Sequence, residues 1–224
     1  MVIIDKYWCL HSFNQYRYFF INNLFKEQKL NVEFYYNDCP PYLDLINIPD
    51  NVRTPYYEKF YKKNKNIYKN IISCFIGHYN IINISYKRGY KNIIVFEDDL
   101  TLLKNVQLRN VINSIPLDAD YVNFYAPCYH NNFLLIENNN NEFTFNKITK
   151  ELLKKKCICG NVMYFMNRKA MKYYLDYANE QKIFIADLYN QYFIDNNINC
   201  YLLKNQIIKP YNHKSLITNI MQNN

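Results

Sequence analysis

Apolar residues recur along the chain with two periods, one short and continuous, the other helical. Val2-Ile3-Ile4 and then Tyr7-Trp8-Cys9-Leu10 make residues 1–10 a first buried strand. Tyr16, Phe19, Phe20, Leu24 and Leu30 fall near helical spacing, so 13–29 reads as a helix with Ser12 as its N-cap. A second strand follows at 31–36. Pro40, Pro41, Pro49 and Pro55 then break any regular pattern, and 37–64 reads as irregular. The strongest helix is 66–88, with Ile67, Ile71, Phe75, Ile82 and Tyr86 on one face and Gly89 as its C-terminal stop. It feeds a β-branched run, 91–96, that ends in Glu97-Asp98-Asp99. Beyond it, 119–125 reads as a strand, and 133–136 with 143–145 as a hairpin around the polar stretch 137–142. A strand at 158–166, a helix opened by Asn167-Arg168-Lys169 and running to about 178, a helix at 187–195 and a strand at 198–203 complete the chain.

Helices feeding continuous apolar strands are the pattern of an α/β fold, a mostly parallel central sheet flanked by helices. At 224 residues the chain reads as a single domain, 1–224, with 1–125 as its first half and 126–224 as its second. Half the residues are hydrophobic, which excludes an intrinsically disordered chain, and only three Gly and seven Pro exclude collagen-like and Gly-rich classes. The alphabet is dominated by Asn, Ile, Tyr, Lys and Phe, all with A/T-rich codons, so neither the Asn tracts nor the 24 Tyr signal function. The net charge of +8 permits attraction to phosphate-bearing ligands without indicating nucleic acid. The seven Cys show no disulfide spacing. Cys157-Ile158-Cys159 could be half a zinc site, but no second ligand pair follows at the right distance. With no signal-like N-terminus and no apolar stretch long enough to span a bilayer, the expectation is a cytoplasmic protein, at most peripheral to a membrane.

The acidic triplet Glu97-Asp98-Asp99 is the sharpest chemical feature. In open α/β sheets ligands bind beyond the carboxyl ends of the strands. Carboxylates there can hold a hard divalent cation that bridges a diphosphate. The alternative is a solvated turn whose Asp98 or Asp99 caps the next helix.

The block Ile72–Leu100, with Cys74 and His78 in a Cys-x-x-x-His frame ahead of Glu97-Asp98-Asp99, resembles the signature of glycosyltransferase family 25. So does Gly160-Asn161-Val162-Met163-Tyr164-Phe165-Met166-Asn167-Arg168-Lys169-Ala170, followed one helix later by Ile185-Ala186-Asp187. Ser73 stands where the family has Gly, and Gly77 where it has Ser. Of its N-terminal motif little more than Arg17 remains. The resemblance implies a GT-A-like fold, a nucleotide-sugar donor (UDP-galactose or another UDP-sugar), a Mn²⁺ or Mg²⁺ ion and inversion at the anomeric carbon. The acceptor would be a glycan, a glycolipid or a protein hydroxyl, with no nucleic-acid partner. The nucleotide-sugar site would lie in the first half of the domain and the acceptor site in the second.

On that resemblance Asp99 is the chief metal ligand, Glu97 faces the ribose or a metal-bound water, and Asp98 supports the loop beside the cofactor. Arg17 and His78 complete the cofactor side. His78 could equally be a satisfied core histidine. Asp187 is the candidate base, or simply a helix N-cap, and His213 is a possible third metal ligand from a polar C-terminal loop. Tyr164 reads as packing. Two other classes stay open. One is an acid-cluster nuclease, which Leu100-Thr101-Leu102-Leu103-Lys104 is poorly arranged to complete. The other is a non-catalytic, decayed transferase that binds a sugar or a partner.

Overall fold

The computed structural model describes residues 1–12, 14–37, 65–125, 143–155, 160–179, 193–194 and 196–208, with backbone alone for 65–72 and 155. Its elements run β1 (Lys6–His11), α1 (Gln15–Glu27), β2 (Val32–Tyr36), α2 (Lys65–Lys87), β3 (Asn92–Glu97), α3 (Leu108–Asn113), β4 (Tyr121–Asn123), β5 (Phe145–Lys147), α4 (Lys150–Lys155), β6 (Met163–Asn167), α5 (Arg168–Asn179) and β7 (Cys200–Leu203). The strands form one seven-stranded sheet in the order β2-β1-β3-β6-β4-β7-β5. Strands β2, β1, β3, β4 and β7 run one way, and β6 and β5 run against them. This is the mixed, mostly parallel α/β sheet of a GT-A-like fold, with β3 in its interior.

The chain path fixes which helix covers which face. From β1 the chain steps to β2 on one side, then crosses back over β1 to β3 on the other. Both crossovers join parallel strands, and the right-handed path such connections favour would put α1 and α2 on opposite faces. The core divides accordingly. Trp8, Leu10, Ile93, Val95, Tyr164 and Met166 pack with Ile81 and Ile82 of α2 and Tyr174 of α5. Cys9, Ile94, Phe96, Met163 and Phe165 pack with Ile21 and Phe25 of α1 and Val111 of α3. Successive strand residues alternate between these two layers, as the period of two requires.

Several boundaries differ from the sequence reading. Ser12 is not the cap of α1. Asn14 is, its side chain accepting from Arg17 N at 3.2 Å, and this frees Ser12 for other work. The start of the first strand shifts to Lys6, leaving Met1 and Ile3 exposed. Gly89 does end α2. At φ +79° its N–H reaches Tyr86 O and that of Tyr90 reaches Ser85 O, the paired bonds of a Schellman stop. Asn167 opens α5 by accepting from Ala170 N at 3.0 Å. Strand β5 pairs antiparallel with β7; its expected hairpin mate, 133–136, lies outside the described residues, as do most of 37–64 and 187–195. Helices α3 and α4 were not anticipated, each being six residues with too few turns to show a period. Among the described residues no helix is long and apolar enough to cross a membrane.

The exchanged Ser73 and Gly77 have a shared physical account. Asn37, just past β2, donates to both the carbonyl and the hydroxyl of Ser73, at 2.7 and 2.9 Å. A Cβ at Gly77 would lie 2.6 Å from Leu10 Cδ1 and 3.0 Å from Asn37 Cγ. Gly77→Ser is therefore expected to cost about 1–3 kcal/mol by overpacking, read as a lowered urea midpoint with unchanged slope.

Candidate functional site

The carboxyl ends of β1 and β3 meet at one edge of the sheet, and the acidic triplet sits there. Glu97 is the last residue of β3, where its backbone N–H is still held by Val162 O at 2.8 Å. By parity it shares the face of Ile93 and Val95, the face that α2 covers. There His78 of α2 meets it, Nε2 to Glu97 Oε1 at 3.1 Å. The other ring nitrogen of His78, Nδ1, lies 3.0 Å from Tyr164 Oη on the adjacent strand β6. His78 and Tyr164 are fully buried, while Glu97 retains some exposure. Of the two readings of His78, a satisfied core histidine and a group at the site, the geometry contains both: it is buried, and it grips the first acid of the triplet.

Asp98 turns the other way, toward the corner between β1 and α1. Its Oδ2 accepts from Ser12 N at 2.8 Å and Ser12 Oγ at 2.6 Å, and its Oδ1 from the Arg17 guanidinium at 2.9 Å. It caps no helix. His11 Nε2 stands 4.0 Å from Asp98 Oδ2, with the ring packed edge-on among Tyr18, Phe34 and Tyr36. Burial lowers the His11 pKa, so the ring stays neutral at pH 7.

Asp99 differs from both neighbours. Its Oδ1 is out of contact with solvent and has no hydrogen-bond partner among the described residues. Burial, then the charges of Glu97 and Asp98, push its carboxyl up to about 7 against the pull of Arg17. Glu97 is raised in the same direction, by burial and then by Asp98. A buried carboxylate oxygen with no donor costs about 1–3 kcal/mol. A divalent cation bound there would satisfy that oxygen and neutralise the crowded charge, so the donor set fits a hard metal ion.

Arg17, His78, Glu97, Asp98 and Asp99 are thus gathered at one sheet edge. Asp187 and His213 lie outside the described residues, as does Cys157-Ile158-Cys159. Sequence reasoning missed the role of Ser12 in holding Asp98 and read Tyr164 as packing alone. The Cys74-x-x-x-His78 frame was the available signal for the α2 side, since residues four apart share a helix face. One ligand atom each of Cys74, His78 and Glu97 lies within 4.8 Å of the others.

The family model of glycosyltransferase family 25, described as an LPS biosynthesis protein, matches residues 13–190. That stretch includes Arg17, His78, the triplet and Asp187, whereas His213 lies beyond it. No curated protein matches the chain.

Proposed function

Because the chain belongs to glycosyltransferase family 25, we propose that it moves a hexose, galactose first among candidates, from a UDP-sugar to a hydroxyl of a glycan, glycolipid or protein, with inversion. The observation that carries the site assignment is Asp99 Oδ1, a buried carboxylate oxygen with no hydrogen-bond donor among the described residues, at the strand edge where a donor diphosphate would lie. Asp99 would hold Mn²⁺ or Mg²⁺, with Glu97 beside it and His213 as a further ligand. When bound, the cation supplies neutralisation of the charge that builds on the leaving diphosphate.

The chain's own groups do the rest. Asp98 spends its carboxylate on Ser12 and Arg17, and so fixes the corner on which the donor rests. The Arg17 guanidinium gives one N–H to Asp98 and has further donors for the donor's phosphates. His78 orients Glu97 toward the ribose, and Tyr164 fixes the His78 ring. Asp187 takes the proton from the acceptor hydroxyl, on the side of the sugar opposite the diphosphate. Transfer then breaks the bond from C1 to the diphosphate oxygen and forms one to the acceptor oxygen.

Thermal melting tests the reading directly. With Mn²⁺ and a UDP-sugar at about 100 times its dissociation constant, stability should rise by about 2.7 kcal/mol, a gain of roughly 5–10 °C for a chain of this size. Chelator should abolish the rise, and GDP- and CMP-sugars should not produce it. A protein that melts identically with every nucleotide sugar is a decayed module and not a transferase.

A further inference from the structure

Beside the hard-ion site at Asp99 stands a second cluster of different chemistry. Cys74 and His78 are four residues apart on α2 and present one face to the sheet edge, where Glu97 ends β3. Their three candidate ligand atoms, a thiol sulfur, an imidazole nitrogen and a carboxylate oxygen, lie within 4.8 Å of one another. His78 Nε2 is the nitrogen turned to Glu97, at 3.1 Å. Its Nδ1 faces Tyr164 Oη at 3.0 Å. With a metal bound, the Tyr164 hydroxyl would accept from Nδ1–H and leave the Nε2 lone pair for the metal, the arrangement that orients and strengthens a metal-ligating imidazole. The set is therefore more than three residues in proximity, because the second ring nitrogen of its central ligand already has a buried outer partner in Tyr164.

We propose that Cys74, His78 and Glu97 form a binding site for zinc, with Tyr164 as the outer-shell partner of His78 and a fourth position open to water. Sulfur and imidazole ligands select zinc over the Mg²⁺ and Mn²⁺ that suit carboxylates alone. On binding, the Cys74 thiol gives its proton to solvent and the thiolate takes its place on the metal. The open position distinguishes the site from a closed structural zinc, and its three protein ligands come from two elements, α2 and β3, that the fold already holds together. The proposal is independent of the transferase reading, although the two sites share Glu97, so occupation of one bears on the other.

Cobalt(II) is the probe, since it follows zinc in ligand preference and is coloured. The full chain, stripped with chelator and kept reduced, is titrated with Co²⁺ and watched by absorbance. The expected result is one equivalent bound, with a thiolate-to-cobalt charge-transfer band in the near ultraviolet and displacement by Zn²⁺. Cys74→Ala should remove the band and weaken binding by about 100-fold or more. Tyr164→Phe should keep the band and weaken binding by about 10- to 100-fold, as loss of an outer-shell partner does. Asp99→Asn should retain the band, which separates this site from the donor site. Cys157→Ser/Cys159→Ser should also retain the band. Far-ultraviolet circular dichroism of each variant checks that it folds, and Glu97→Gln gives a second ligand variant should Cys74→Ala melt early. No thiolate band in the wild-type chain, or a band that survives Cys74→Ala and disappears with the Cys157/Cys159 pair, overturns the proposal.

Discussion

Asp99→Asn should lower transfer by roughly 10³-fold or more while making the metal-free protein more stable at neutral and alkaline pH. The catalytic loss follows from removing the carboxylate proposed to hold the cation on the leaving diphosphate. The stability gain follows from the burial of that same carboxylate. Its folded pKa lies near 7, raised by burial and by Glu97 and Asp98, against an ordinary value of 3.8. Below about pH 4 it is protonated whether folded or unfolded and carries no penalty. Between about 4 and 7 the unfolded chain releases the proton while the folded one retains it, so stability falls as pH rises. Above 7 the full cost of a buried anion is present. An amide at this position escapes it, so in chelator at pH 8 Asp99→Asn should be about 1–3 kcal/mol more stable than the wild type. Glu97 is raised in the same direction, so the substitution should flatten the decline with pH and not abolish it. Added Mn²⁺ should reverse the order, because only the wild type gains from it. Urea melts at pH 5 and pH 8, with chelator and with Mn²⁺, measure all four corners. A variant with the wild-type pH slope and the wild-type response to Mn²⁺ would show that Asp99 is not the metal carboxylate.

How much of this was legible beforehand depends on which interactions are local. The run Asn92–Phe96 announces a buried strand, and the Glu97–Asp99 triplet announces the edge where it ends. The length and period of α2 and its Gly89 stop are equally local, and they were read within one residue. Ser12 was misread because two oxygen-bearing side chains, Ser12 and Asn14, flank the start of α1. The choice between them was made by Asp98, 86 residues away, which claims the Ser12 hydroxyl. Tyr164 has the apolar neighbours of a packing residue, and only the antiparallel insertion of β6 next to β3 brings its phenol to His78. Parity could have placed Glu97 on the same face as Val95. It could not say that α2 covers that face, because that depends on β3 pairing on the far side of β1 from β2. Pairing order is the non-local fact from which the site's inner half follows.

The same non-local joint predicts the largest loss of stability. Asp98 is 6% exposed and Arg17 12%, and together with Ser12 they tie the start of α1 to the turn after β3. Asp98→Ala leaves the Arg17 guanidinium without its carboxylate and takes the acceptor from Ser12 N–H. Breaking a buried pair from one side costs about 3–5 kcal/mol, because the remaining charge keeps its desolvation penalty without its partner. At about 2–4 °C for each kcal/mol, the melting temperature should fall by roughly 6–20 °C. Arg17→Ala should cost less, since Asp98 keeps both bonds from Ser12. The double variant should then lose about 1–3 kcal/mol less than the sum of the two single losses, as neighbours sharing one favourable interaction do. A urea-denaturation cycle of the four proteins measures that coupling. Additivity within about 0.5 kcal/mol would mean that water, and not Arg17, solvates Asp98, and the corner would have to be held by Ser12 alone. Substantial coupling would mean that the second acid of the triplet serves to fix β1, α1 and β3 in one arrangement. Asp99 would then be presented at the sheet edge by a rigid turn, and donor affinity should fall with the stability of that joint.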